Sequence, residues 1–154
     1  TCFVPAFTGL GAPYWDSRAE GLLTGVTRTT GRAEIARACL DCIAFQITDL
    51  VELMRQDSGL PVDALRVDGG PTASAYLMQL QSDLADVSVQ VPELQELSGM
   101  GVAYAAGMAV GLYDRETIYR HIRRRRYERT MSPEERMKRL SLWKQAVRQA
   151  LCHP

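Results

Sequence analysis

The spacing of apolar residues predicts a long helix in the first half of the chain. Over residues 32–56 apolar side chains recur every three to four positions, which places them on one face of a helix. That predicted face consists of Ile35, Cys39, Ile43, Ile47, Leu50, Val51 and Met54. Thr30 is positioned to cap the start of the helix, and Gly59 followed by Pro61 predicts its end.

A second helical pattern lies at the end of the chain. Ser132 is followed by Pro133 and then by Glu135, which is the signature of a helix N-terminus. The apolar positions that follow are Met137, Leu140, Trp143, Val147 and Leu151. Their spacing predicts an amphipathic helix that docks on the rest of the molecule.

Shorter elements of alternating type are predicted before and between these two helices. Residues 3–19 contain several Gly and Pro residues and predict an irregular loop. The remaining predicted elements are strands at 21–27, 64–67 and 87–91 and helices at 71–85 and 98–112. Alternating strands and helices are typical of an α/β domain.

The predicted helix at 98–112 carries small residues four positions apart. They are Gly99, Ala103, Gly107 and Gly111. The helix is too short to span a bilayer, so we expect this stripe to pack closely on a sheet or a neighbouring helix.

Paired glycines follow the strand at 64–67. Asp68, Gly69 and Gly70 end the strand, and a helical pattern begins at Pro71. Glycines let a ligand approach backbone N–H groups, and a helix N-terminus favours an anion. Ligands of α/β sheets bind at the carboxyl ends of strands. The turn therefore predicts a nucleotide-phosphate site, although these residues alone also fit a tight turn that binds nothing.

The balance of charge argues against some partners. The 154 residues include 18 Lys and Arg against 18 Asp and Glu, so no net charge favours nucleic acid or an anionic membrane. No signal pattern or membrane-spanning apolar stretch is present, and we expect no membrane partner. The chain begins at Thr1 without a methionine, which indicates a processed or truncated chain.

Arginines cluster in the region before the last helix. They are Arg120, Arg123, Arg124, Arg125, Arg126 and Arg129. No aromatic stacking platform accompanies them, so we predict a solvated basic patch, or one that pairs with an acidic surface, and no nucleic-acid site.

The cysteines do not predict a metal centre. Cys39 and Cys42 have C-x-x-C spacing, but they lie in the middle of a predicted helix. Only His121 and His153 could add imidazole ligands, and no second ligand pair accompanies the motif. We therefore predict no metal site and free thiols, which fit a reducing cytoplasm.

Four segments of the chain resemble glycerol kinases, members of the FGGY family of carbohydrate kinases, and they occur in the order of that family. The longest is FTGLGAPYWD at residues 7–16. The others are LRVDGG at 65–70, LMQLQSD at 77–83 and GVAYAAG at 101–107. The resemblance covers residues 3–113, with a looser match in the last helix.

The resemblance implies an actin-like, ribonuclease H-like ATPase fold with the active site between two lobes. Residues 1–113 would then be part of the C-terminal, nucleotide-binding lobe, and residues 114–154 a helical extension. The catalytic aspartate and the glycerol-binding residues of the family lie upstream of the matching region. We therefore assign no catalytic residue to this chain and expect it to be inactive alone.

The resemblance also implies a nucleotide site on this lobe. Gly69 and Gly70 match the motif that approaches the nucleotide, and Ser74 stands where glycerol kinases usually have an adenine-contacting asparagine. Pro71 and Thr72 replace a pair of small apolar residues. The implied cofactors are ATP and Mg²⁺, with glycerol or a related polyol held mainly by the other lobe, in a cytoplasmic enzyme.

Other residues of the matched segments have less direct roles. The resemblance places Asp68 on the nucleotide side, where we expect a structural role or a distant one, and it gives no reason to name Asp16 as a base. Tyr14 and Trp15 are large aromatics, which mostly serve cores, so we expect them to pack beneath their loop.

Two alternatives remain open from the sequence. The chain could belong to another sugar kinase of the family that acts on a pentulose or pentitol. It could also be a non-catalytic interaction module that uses the Arg123–Arg126 patch or a sheet edge. The resemblance also implies that two strands of the family's lobe are missing from the chain. The sheet edge exposed in that case would invite self-association, so a homo-oligomer is a further expectation.

Overall fold

A computed structural model describes residues 1–93, 97–118 and 123–151. The elements in chain order are β1 (Cys2–Val4), β2 (Leu22–Thr24), α1 (Arg32–Ser58), β3 (Ala64–Arg66), a 3-10 turn (Gly70–Ala73), α2 (Ala75–Ala85), β4 (Ser88–Pro92), α3 (Leu97–Ala109), α4 (Arg115–Ile118), β5 (Arg124–Tyr127) and α5 (Pro133–Leu151). Strands and helices are interspersed along the chain, as the sequence predicts for an α/β domain. Three residues considered above, Arg120, His121 and His153, lie outside the described residues.

Within the described ranges the strands form two small sheets. β1 and β2 are antiparallel, with Phe3 opposite Leu23. The second sheet has the order β3-β4-β5, in which β3 and β4 are parallel and β5 is antiparallel to β4. Leu65, Val89 and Tyr127 lie side by side across it.

Two of these strands correct the sequence prediction. Cys2–Val4 overlaps the predicted irregular loop, and Arg124–Tyr127 lies in the predicted solvated patch. The first strand is only three residues long, too short to establish an alternating pattern. The second is mostly arginine, so its alternation is hidden by uniform charge.

Helix α1 forms where predicted but buries a different face. The side chains it buries are Ala38, Cys42, Ala44, Phe45, Thr48, Asp49 and Val51. Of the predicted stripe, Val51 is buried, whereas Ile35 and Met54 are exposed. Small side chains on the buried face let α1 lie against β1 and α2. Contact with these two elements, more than the hydropathy of each side chain, therefore determines which residues of α1 are buried.

The ends of α1 agree with the prediction only in part. Gly31, not Thr30, is the N-cap, and its N–H donates to the Glu34 carboxylate at 2.8 Å. The Thr30 hydroxyl instead accepts from the Thr27 N–H at 2.9 Å, so it closes the preceding turn. Gly59 ends the helix with a φ of 64°, a left-handed conformation that favours glycine.

Helix α5 docks on the body of the molecule as predicted. Pro133 is its first residue, and the Ser132 hydroxyl accepts from the Glu135 N–H at 3.2 Å. The Trp143 side chain is 0% exposed and stacks on Phe45 with ring centroids 5.2 Å apart. The predicted stripe member Met137, by contrast, is exposed.

The small-residue stripe of α3 does not pack as predicted. A methyl group added at Gly99 would meet no atom within 4 Å, and neither would one at Gly111. Gly107 does lie against the Tyr113 ring, which leaves no room for a side chain there. Val102 of the same helix is exposed. No helix in the described part of the chain is both long and apolar enough to cross a bilayer.

Candidate nucleotide site

The predicted glycine turn lies at the carboxyl end of β3, beside a cavity of about 480 Å³. Residues from three elements surround this cavity. They are Gly69, Gly70, Thr72, Ala73, Val91, Pro92, Glu93, Arg125 and Tyr127. The structure therefore brings both predicted glycines to one concave surface, at the edge of the sheet where ligands of α/β proteins bind.

The two glycines leave the backbone accessible. Gly69 has a φ of 90°, a conformation that side chains rarely adopt. A methyl group added at Gly69 or Gly70 would have no atom within 4 Å, so open space surrounds both residues. No described residue accepts a hydrogen bond from the N–H of either glycine. Two glycines without a described acceptor for their N–H groups therefore border the cavity.

Thr72 holds the turn from within. Its N–H donates to the Gly69 carbonyl at 3.1 Å, and its hydroxyl donates to the same oxygen at 2.7 Å. A threonine hydroxyl that bonds the backbone a few residues away is a known means of fixing a turn. The Gly69 carbonyl is therefore turned toward the 3-10 segment.

Ser74 separates the 3-10 turn from α2, which corrects the prediction of one continuous helix over residues 71–85. Its backbone is extended, with φ −84° and ψ 100°, and its hydroxyl oxygen accepts from the Leu77 N–H at 3.2 Å. Ser74 is thus the N-cap of α2. Its side chain is not among the residues that line the cavity, although its hydroxyl proton is still available to a partner.

The opposite wall of the cavity comes from β4 and β5. Val91 and Pro92 contribute apolar surface, and Arg125 and Tyr127 lie two positions apart on one face of β5. A hydrogen bond with Tyr127, reinforced by the charge of Glu93, raises the pKa of Arg125 above its ordinary value. The cavity therefore combines backbone donors on one side with a permanently charged guanidinium on the other.

Sequence reasoning missed this wall. The prediction assigned Arg125 to a solvated patch and gave Tyr127 no role. A period-two reading of residues 124–127 would have placed Arg125 and Tyr127 on the same face of a strand. Only the pairing of β5 with β4 shows that this face meets the glycine turn.

The remaining candidate side chains lie away from the cavity. Asp68 is exposed and does not line it. Asp16 pairs its backbone with Leu10, and its carboxylate accepts from the Arg18 N–H at 2.8 Å. Tyr14 packs beneath its loop as predicted, but Trp15 is 79% exposed, which contradicts the expected burial.

The C-x-x-C pair lies within α1, as predicted. Cys42 is buried and Cys39 exposed, and both are free. Burial raises the pKa of the Cys42 thiol to about 11, so this thiol is protonated at neutral pH. In the described ranges no group of three or more His, Cys, Asp and Glu side chains could hold a metal ion.

Comparisons with known proteins place the chain in a family. The family model for the C-terminal domain of the FGGY family of carbohydrate kinases matches residues 1–110. Glycerol kinase 2 of Thermotoga maritima is 49% identical over 151 residues, which are 97% of this chain and 30% of that protein. The glycerol kinase of Aliivibrio fischeri is 46% identical over 147 residues, 94% of this chain and 29% of that protein.

Solved structures give the same result. The crystal structure of Plasmodium falciparum glycerol kinase with ADP has a TM-score of 0.87 and 34% identity, and the match covers 99% of this chain and 31% of that one. Ligand-bound xylulose kinase from Lactobacillus acidophilus has a TM-score of 0.76 and 28% identity, and the match covers 97% of this chain and 31% of that one.

The chain spans about 30% of the length of the relatives it matches. The expected fold, part of the C-terminal lobe of an actin-like ATPase, is confirmed by its structural neighbours. The chain belongs to the FGGY family of carbohydrate kinases, and residues 1–110 match the C-terminal domain of that family.

Proposed function

We propose that this chain is the C-terminal part of an ATP-dependent glycerol kinase and that it binds ATP at the cavity beside Gly69 and Gly70. One observation supports this site above all. Two exposed glycines with unpartnered N–H groups border a cavity of about 480 Å³ at the carboxyl end of β3. Backbone N–H groups are good partners for phosphate oxygens, and glycines let the phosphate approach them.

In this proposal the predicted site residues have distinct parts, although Ser74 and Asp68 do not themselves line the cavity. The N–H of Gly70 donates to a phosphate oxygen, and Gly69 leaves the approach clear. The Ser74 hydroxyl, which already accepts from Leu77, donates its own proton to the adenine. Asp68 keeps a structural role.

Mg²⁺ fits the proposal as a partner of the nucleotide phosphates and of groups outside this chain. The described residues contribute no ligand cluster for it, and we assign it no protein ligand here. When bound it would neutralise charge on the phosphates.

Glycerol is the acceptor we favour. The relatives that match at 46–49% identity are named glycerol kinases, whereas the matched xylulose kinase is 28% identical. One of the matched glycerol kinases was solved with ADP. Phosphoryl transfer depends on positioning between two lobes, so we expect no turnover from the 154-residue chain by itself.

The organisation of the chain follows the same proposal. We divide it into a nucleotide-binding part at 1–113 and a helical extension at 114–154, whose Trp143 anchors it to the body of the molecule. A cytoplasmic location fits the free cysteines of the described residues. We also predict that the chain self-associates, which size-exclusion chromatography would test.

A hybrid enzyme tests the proposed function. This chain would replace the matching segment of Thermotoga maritima glycerol kinase 2, and ADP formation would be measured with and without glycerol. We expect glycerol-dependent turnover from the hybrid and a higher KM for ATP in a Gly70→Val hybrid, because the new side chain fills the approach to the N–H groups.

The unmodified Thermotoga enzyme and the isolated 154-residue chain serve as the active and inactive controls. Circular dichroism of each hybrid confirms that it is folded. A folded hybrid that produces no ADP, or one that prefers xylulose to glycerol, would contradict the proposal.

A further inference from the structure

Steric contacts do little to fix the orientation of the peptide between Gly69 and Gly70. Neither residue has a side chain, and no atom lies within 4 Å of where one would be. A peptide between two glycines can rotate between opposite orientations at little steric cost. If it did so here, the Gly70 N–H would face the cavity for only part of the time.

Thr72 removes this freedom. Its N–H and its hydroxyl both donate to the Gly69 carbonyl, at 3.1 and 2.7 Å. The only cis bond among the described residues is Ala12–Pro13, so the Gly69–Gly70 peptide is trans. In a trans peptide the C=O and N–H point in opposite directions. Because the carbonyl is held against the 3-10 turn, the Gly70 N–H points away from that turn.

We propose that Thr72 is a positioning residue of the nucleotide site, whose hydroxyl holds the Gly69–Gly70 peptide with the Gly70 N–H available to the ligand. This inference rests on the proposed function of the cavity. Thr72 acts through the backbone and does not itself contact the reacting atoms. The site is thereby organised before the nucleotide arrives.

The energetic consequence concerns binding and not chemistry. A site whose binding-competent orientation is only partly populated has an apparent affinity reduced by that fraction. The Thr72 N–H alone would still favour the observed orientation, so loss of the hydroxyl weakens the preference without abolishing it. One neutral hydrogen bond corresponds to a change of roughly fivefold in an equilibrium constant.

Two substitutions isolate the hydroxyl. Thr72→Val keeps the shape of the half-buried side chain and removes the donor, whereas Thr72→Ser keeps the donor and removes a methyl group. In the hybrid kinase we expect Thr72→Val to raise the KM for ATP by up to about twofold, because the observed orientation remains the favoured one, with kcat and the KM for glycerol unchanged. Thr72→Ser keeps the donor and should have the same KM for ATP as the parent.

A matched control is available in the loop before α1. Thr29 is exposed, and its described hydrogen bonds are to Thr27 of the same loop. Thr29→Val makes the same chemical change at a residue that does not line the cavity and should leave the KM for ATP unchanged. An equal KM for ATP in Thr72→Val and the parent would overturn the inference, as would equal losses in Thr72→Val and Thr72→Ser.

A second measurement is independent of activity. In the 154-residue chain, relaxation dispersion of the Gly70 ¹⁵N–¹H group reports exchange of the peptide on the microsecond-to-millisecond scale. We expect exchange in Thr72→Val and none in the parent or Thr72→Ser. If the parent hybrid is folded but inactive, the proposed function fails, and this spectrum still decides whether Thr72 fixes the peptide.

Discussion

Two glycine-containing loops of this chain use the same residue type for opposite purposes. In the loop at residues 5–21, which joins β1 to β2, Gly9 is packed against backbone. A methyl group there would lie 2.5 Å from the Asp16 carbonyl oxygen and 2.6 Å from the Ser17 Cα. In the turn after β3, Gly69 and Gly70 have open space around them. Gly9 therefore allows close packing within the protein, whereas Gly69 and Gly70 leave solvent-filled space that a ligand can occupy.

The two loops also differ in how they are held. The loop at 5–21 is fastened to the core, because the Tyr14 hydroxyl donates to the Asp49 carboxylate at 2.8 Å. The Trp143 indole N–H donates to the same oxygen at 2.7 Å, so one buried carboxylate joins the loop, α1 and α5. Among the described residues no side-chain hydrogen bond ties the glycine turn to the core in this way, and Thr72 secures the turn locally.

The strongest test of this contrast removes the anchor of the fastened loop. Trp143→Ala deletes a side chain that is 0% exposed, its stack on Phe45 and its hydrogen bond to Asp49. We expect the free energy of unfolding to fall by about 3–5 kcal/mol. Chemical denaturation of the 154-residue chain measures it.

Met137→Ala is the matched control, since it shortens an apolar side chain of the same helix that is 67% exposed. Its effect should stay within about 0.5 kcal/mol. Similar losses in the two variants would mean that α5 is not docked through Trp143.

The second test adds a methyl group to the fastened loop. Gly9→Ala brings that methyl against the Asp16 and Ser17 backbone, and it places alanine at a φ of 86°. Both effects destabilise the folded state, by about 3 kcal/mol together. A free energy of unfolding within 1 kcal/mol of the parent, as determined from denaturant curves, would show that the loop moves freely and would remove the contrast.

Local sequence patterns predict some features of this fold, and features that depend on contacts between distant elements lie beyond them. Helix positions follow from periodicity, so α1 and α5 appear close to their predicted bounds. Periodicity does not predict which face of α1 is buried, because contacts with β1 and α2 determine that face. The small residues Ala38 and Cys42 on it carry little hydrophobic signal. Likewise, β5 depends on its pairing with β4, and no local pattern in an arginine run reveals that partner.

The candidate site shows the same division. Gly69 and Gly70 could be identified because their motif is local and resembles a known family. Thr72 could have been identified as well, since a Thr hydroxyl can hydrogen-bond the backbone three or four residues earlier. Arg125 could not be identified from the sequence, because only the pairing of β5 with β4 brings it to the cavity.

The third test uses pH to examine the fastening at Asp49. Burial raises the pKa of this carboxyl above its ordinary value, although the hydrogen bonds from Trp143 and Tyr14 oppose that change. The folded state therefore binds a proton more readily than the unfolded state. Stability from this group is present at pH values below the ordinary pKa and is lost as the pH rises through the raised one.

Asp49→Asn removes this titration, and its amide oxygen can still accept from both donors. We expect the stability difference, parent minus variant, to fall from pH 4 to pH 7, by less than either loss predicted above. Denaturant unfolding across this range measures it. A difference that rises with pH would mean that the ionised carboxylate is the favoured form in the folded chain.

The last test is expected to change stability least and to separate the two loops most clearly. Gly70→Ala adds the same methyl group as Gly9→Ala, but at a residue with no atom within 4 Å and no left-handed φ. Restricting the unfolded chain offsets any loss, so the free energy of unfolding should change by no more than about 1 kcal/mol. Binding of ATP, in contrast, should weaken by about tenfold, because the methyl group occupies the approach to the N–H groups. Calorimetric titration of the hybrid kinase, with the denaturation curve of the same variant, gives both quantities.

A variant as unstable as Gly9→Ala would show that protein, not ligand, fills the space beside Gly70. A stable variant that binds ATP as tightly as the parent would move the nucleotide away from this turn.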